Sequence, residues 1–74
     1  MSPDFEKIVW RGPKGEVISC IEKNKVMREN LEELRQTAQD ALEDAVLMGC
    51  DEEQVRQVLS ALMLSLVNPY SPLD

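Results

Sequence analysis

The stretch from Cys20 to Met48 contains neither proline nor glycine and is dominated by Glu, Leu, Arg, Gln and Ala. These residues lose little freedom on entering a helix. No other feature narrows the possible folds as far. The composition predicts one long helix over residues 20–48, ended by Gly49, which can take the left-handed conformation that a helix stop requires. Cys20, Asn24, Met27, Leu31, Leu34, Ala38, Ala41, Ala45 and Met48 recur at alternating spacings of four and three, the seam of a helix that packs along its length.

A second helix is expected over residues 52–67. Asp51 is placed to cap it, Gln54 to complete a capping box, and Glu52 and Glu53 suit the positive end of the helix dipole. Val55, Val58, Leu59, Leu62 and Leu66 fall on one arc of about 100°. Only Gly49, Cys50 and Asp51 separate the two helices, so the chain should fold back as an antiparallel helical hairpin. Ala38, Ala41 and Ala45 on the first helix would let the second approach closely.

Ahead of the helices, residues 5–19 predict a β-hairpin. Phe5–Trp10 is rich in β-branched and aromatic residues, Arg11-Gly-Pro-Lys-Gly15 is a turn cluster, and Glu16–Ser19 supplies a return strand. Residues 68–74, with Pro69 and Pro72, are expected to form an extended tail. The expected fold is therefore α+β and mostly α: an N-terminal β-hairpin followed by an antiparallel two-helix hairpin, in the order ββαα. No domain-scale repeat interrupts this reading of one small domain over residues 1–74.

A 74-residue chain has a thin core and needs a disulfide, a metal or a partner to stabilise it. The chain has two cysteines and no histidine, too few ligands for a structural zinc site. If residues 20–48 are one helix, Cys20 and Cys50 stand roughly 40 Å apart at 1.5 Å per residue, and no intramolecular disulfide can close. Two unpaired thiols fit a reducing, cytoplasmic setting. Asp4 and Glu6 break up any signal-peptide core. The apolar run from Val58 to Val67 is far shorter than the roughly 20 residues of a membrane span. What remains is association with a partner, and a homodimer with a four-helix arrangement through the second helices is the expected assembly.

Catalysis is not expected. Without histidine the chain lacks the commonest general base and every Ser–His or Cys–His arrangement. Gly12, Gly15 and Gly49 match neither phosphate-binding pattern, and no cofactor is implied. Binding therefore becomes the expected role, as a small interaction or regulatory module. The second helix ends in more apolar residues than one partner helix can cover, since Leu64 points almost directly away from Val55. Val58, Leu62, Met63, Leu64 and Val67 are the expected contact surface, with Trp10 at its rim.

Two other surfaces offer different chemistry. Glu29, Glu32, Glu33, Asp40, Glu43 and Asp44 fall within about 120° of a helical wheel, a stripe that could mimic nucleic acid toward a basic protein. The plain alternative is a solvated face. Cys20 and Cys50 each sit at the start of a predicted helix, where a thiol ionises more readily, so a redox switch is the third reading. Small apolar filler is the plain alternative there. Nucleic acid is a poor partner for the chain as a whole. Its net charge of −6 divides into +2 over residues 1–28 and −8 over residues 29–74. Asn24, the only polar residue of the seam, is expected to hydrogen-bond backbone near the N-terminal segment.

Overall fold

The structure is a computed structural model that describes residues 3–70. A single turn of 3-10 helix, Phe5–Lys7, precedes two α-helices, α1 (Ile21–Leu47) and α2 (Glu52–Leu64). Two compact units divide the chain, Met1–Thr37 and Ala38–Asp74, with the boundary inside α1.

In the C-terminal unit the end of α1 and all of α2 form a helical hairpin, as expected. Local chemistry closes the link. Gly49 adopts φ 94°, its amide donates to the Val46 carbonyl at 3.0 Å, and the Cys50 amide donates to the Ala45 carbonyl at 2.9 Å. This pair of bonds is the Schellman arrangement, which needs a left-handed residue where Gly49 stands. Asp51 then caps α2, its Oδ2 accepting the Gln54 amide at 2.9 Å. Glu52 pairs with Arg56 at 2.9 Å one turn later.

Helix α2 ends three residues before the expected boundary. The Ser65 amide donates to the carbonyls of Ala61 and Leu62 at 3.0 and 3.1 Å, and its hydroxyl donates to Leu62 at 2.7 Å. These bonds tighten the last turn and leave Leu66 and Val67 off the helix. The side chain of Asn68 accepts the Tyr70 amide at 2.8 Å, a turn around Pro69 that takes the chain away from helical geometry. The remainder of the expected tail, including Pro72, lies outside the described residues.

The N-terminal unit overturns the β-hairpin expected over residues 5–19. No strand and no sheet occur among the described residues, so the fold is not α+β. Residues 5–7, expected to begin the first strand, instead wind into a 3-10 turn. Asp4 starts it: its Oδ1 accepts the Glu6 amide at 3.0 Å and its carbonyl accepts the Lys7 amide at 3.1 Å. An aspartate before the segment favours this local bonding over extended pairing. Farther on, a lone bridge joins Arg11 to Val17, with Gly12 donating to Glu16 at 2.8 Å and Ile18 to Trp10 at 2.9 Å. One bridge flanked by a turn does not propagate, which agrees with the marginal stability of an isolated pair of strands.

The N-terminal segment is tied to α1 by side chains instead. Asn24 Nδ2 donates to the Ile18 carbonyl at 3.1 Å, the backbone bond expected of that residue. Arg28 pairs with Glu6 at 3.9 Å, and the Arg35 guanidinium lies over the Phe5 ring, 4.5 Å from its centre. None of the described residues is buried. Phe5, Trp10, Ile18, Asn24, Arg28 and Leu31 are half-buried in the N-terminal unit, and Ala38, Leu42, Ala45, Val55 and Leu59 in the C-terminal unit. On α1 the covered positions run through Arg28 and Leu42 rather than the expected Met27 and Ala41, which are exposed.

Candidate functional site

Each unit presents one apolar surface that its own packing leaves open. In the C-terminal unit, Val55 and Leu59 face the hairpin and are half-buried. The expected contact residues Val58, Leu62, Met63 and Leu64 ride on α2 and are all exposed. Leu64 is 85% exposed, consistent with its position opposite Val55 on the wheel. Beyond the helix, Leu66 and Val67 are 68% and 83% exposed. No charged side chain occurs between Gln57 and Tyr70, and only Ser60, Ser65 and Asn68 are polar within that stretch. At α1's C-terminal end Leu47 and Met48 are also exposed, so the apolar surface of this unit is wider than the contact set expected of α2.

In the N-terminal unit, Trp10, Ile18, Val26 and Met27 line a groove of about 530 Å³, with Arg11, Glu22 and Lys23 also on its walls. Two hydrogen bonds shape it. Ile18 is held to Trp10 through the backbone and to α1 through Asn24, which fixes the irregular segment beside the helix. The Asn24 Oδ1 is covered and has no hydrogen-bond partner. Val26 and Met27 stay open, 54% and 37% exposed. Trp10, expected at the rim of the contact surface, thus belongs to a groove of its own. The groove does not follow from the sequence pattern, in which Trp10 falls in the expected strand and Met27 in the expected seam. A signal was present: Val26 is apolar and lies off the expected seam, so the seam leaves it uncovered.

No protein family matches the chain, and neither a curated protein nor a solved structure is similar enough to lend it a function. The reading therefore rests on the side chains.

No group of three metal-ligating residues converges among the described residues. No helix among them is long and apolar enough to cross a membrane. Cys20 and Cys50 are free and exposed. Cys20 directly precedes α1, its carbonyl accepting the Asn24 amide at 3.0 Å. The Lys23 backbone amide holds its thiol below the ordinary pKa; desolvation opposes this, while the Glu22 amide and the Lys23 charge add to it. The six acids of the expected stripe, Glu29, Glu32, Glu33, Asp40, Glu43 and Asp44, are exposed on α1. Gln39 donates to Glu43 at 2.8 Å, the ordinary i,i+4 bonding of a solvated helix face.

Proposed function

We propose that the protein is a non-catalytic interaction module that acts as a homodimer, with Val58, Leu62, Met63, Leu64 and Val67 at the contact. One observation carries this reading: no described residue is buried, yet large apolar side chains stand open in both units. Fully burying a side chain such as Leu or Val contributes about 1.5–3 kcal/mol, and the chain by itself collects only part of that at any position. Association supplies the remainder. A second copy is the natural partner because it brings an equal apolar surface at equal concentration. The free thiols support a cytoplasmic setting.

The test is the mass in solution, by light scattering after size-exclusion chromatography, for wild type and Leu64→Glu. Wild type should run at twice 8.4 kDa. Leu64→Glu should run as a monomer with its helix content kept, because Leu64 is 85% exposed. A monomeric wild type at high concentration would refute the dimer.

A second reading, a thiol switch, draws support from the exposure of Cys20 and its lowered pKa. Mild oxidation should then give a disulfide-linked dimer on non-reducing gels, abolished in Cys20→Ser. No covalent dimer under oxidant would remove this reading.

A further inference from the structure

We propose that α1 pairs with α1 of a second copy, antiparallel and two-fold about Leu34. This rests on the homodimer reading and adds α1 to its contact.

Met27, Leu34, Ala41 and Met48 recur every seven residues, and all four are exposed. The chain's own packing follows another line on the helix, so this stripe has no cover within the chain: Met27, Leu34 and Met48 are 37%, 44% and 77% exposed. A seven-residue repeat drifts about 20° per heptad on a straight helix, and a partner that coils with it can follow the drift. A second α1 carries the same repeat. The first three residues of the stripe lie on α1, a single helix, and Met48 directly follows it, so their register needs only the helical period.

Charge fixes the direction, and it is charge on the helix that makes the contact. The first eight residues of α1, 21–28, carry Lys23, Lys25 and Arg28 against Glu22, a net +2. The last eight, 40–47, carry Asp40, Glu43 and Asp44, a net −3. Parallel pairing sets +2 on +2 and −3 on −3. Antiparallel pairing sets +2 on −3 at both ends. Residues 29–39 meet their own equivalents either way and do not discriminate.

Leu34 is the middle residue of the 27 in α1. Antiparallel pairing over the full helix therefore sets Leu34 against Leu34, and Met27 against Ala41, a large side chain against a small one. Lys23 and Asp44 lie about 60° apart on the wheel, on the same flank of the stripe. An antiparallel two-fold brings same-flank residues of the two copies together, so Lys23 comes beside Asp44 twice.

The experiment uses the full chain with Cys20→Ser and Cys50→Ser, so that one introduced thiol reports on its own counterpart. Leu34→Cys, Met27→Cys and Glu29→Cys are each treated with oxidised glutathione and run on non-reducing gels. Glu29 faces away from the stripe and measures random collision. Leu34→Cys should link about tenfold faster than Glu29→Cys, because a disulfide closes only when the two Cβ atoms come within about 4.5 Å. Met27→Cys should link no faster than Glu29→Cys, and Met27→Cys combined with Ala41→Cys should restore the fast link. In the otherwise unchanged chain, Leu34→Glu should raise the dimer dissociation constant by about tenfold or more at unchanged helix content. Equal linking of Met27→Cys and Leu34→Cys would overturn the antiparallel direction. A dimer by sedimentation that tolerates Leu34→Glu, and whose Leu34→Cys thiol links at the collision rate, would overturn the α1 contact while leaving the homodimer intact. A wild type that is monomeric at every concentration would overturn both.

Discussion

The link between the helices and the segment before them are both irregular, yet they are built on opposite principles. From Met48 to Asp51, each bond that shapes the link is made within a few residues by a side chain or backbone suited to it. Gly49 turns left-handed, Cys50 and Gly49 reach back to α1, and Asp51 reaches forward to α2. From Asp4 to Cys20, local bonds set only the two turns, at residues 5–7 and 12–15. The segment's hold on α1 comes from Asn24, Arg28 and Arg35, which reach Ile18, Glu6 and Phe5, two of the three from more than twenty residues away. A locally encoded link should fail through single backbone substitutions. A segment tied by remote side chains should loosen in small steps.

The largest effect should come from Gly49. A Cβ added there meets no atom within 4 Å, so the penalty is purely conformational. At φ 94°, valine should destabilise the hairpin by about 2 kcal/mol and alanine by about half of that. Urea unfolding followed by helical circular dichroism at one fixed protein concentration measures both. Equal effects of alanine and valine, or none, would mean that the helix end rearranges and that the link is not set by Gly49.

The same contrast explains what the sequence made legible. Both helices, the glycine stop and the Asp51 cap rest on residue type and spacing within one or two turns, and the structure has all of them. The β-hairpin of residues 5–19 failed because its β-branched residues were weighed without Asp4, whose carboxylate and carbonyl turn residues 5–7 into a 3-10 turn. On α1 the expected seam drifted by one position. A strict seven-residue repeat slips about 20° per heptad on a straight helix, and the covered line passes through Arg28 and Leu42. An arginine was no candidate for a seam, although its apolar stem covers a neighbour well while its head stays in water. The groove was hidden for the same reason: its walls come from Trp10 and Ile18 on one side and α1 on the other, and their meeting is not a local property. Of the α2 surface, the exposure of Leu64 could be read from the wheel, while the early stop at Ser65 could not.

The smallest effect should come from the contact that best represents the remote kind of tie. Arg35 lies over Phe5 while remaining solvent-exposed, so the attraction between guanidinium and ring is worth about 0.5–1 kcal/mol. Arg35→Ala should lower stability by no more than that and leave the helix content of α1 unchanged. A double-mutant cycle with Phe5→Leu isolates the pair. Coupling of about 0.5 kcal/mol would show that the ring and the cation hold the segment together. Zero coupling with both single effects intact would mean that Phe5 is held by apolar contact with Leu31 or other neighbours, and that Arg35 acts only through its stem. The cycle also bears on the groove, because the segment that Phe5 anchors runs on to Trp10. If releasing Phe5 also exposes Trp10, the two ends of the segment are one cooperative piece. If Trp10 emission is unmoved, the bonds from Ile18 to Trp10 and from Asn24 to Ile18 suffice to hold the groove wall on their own.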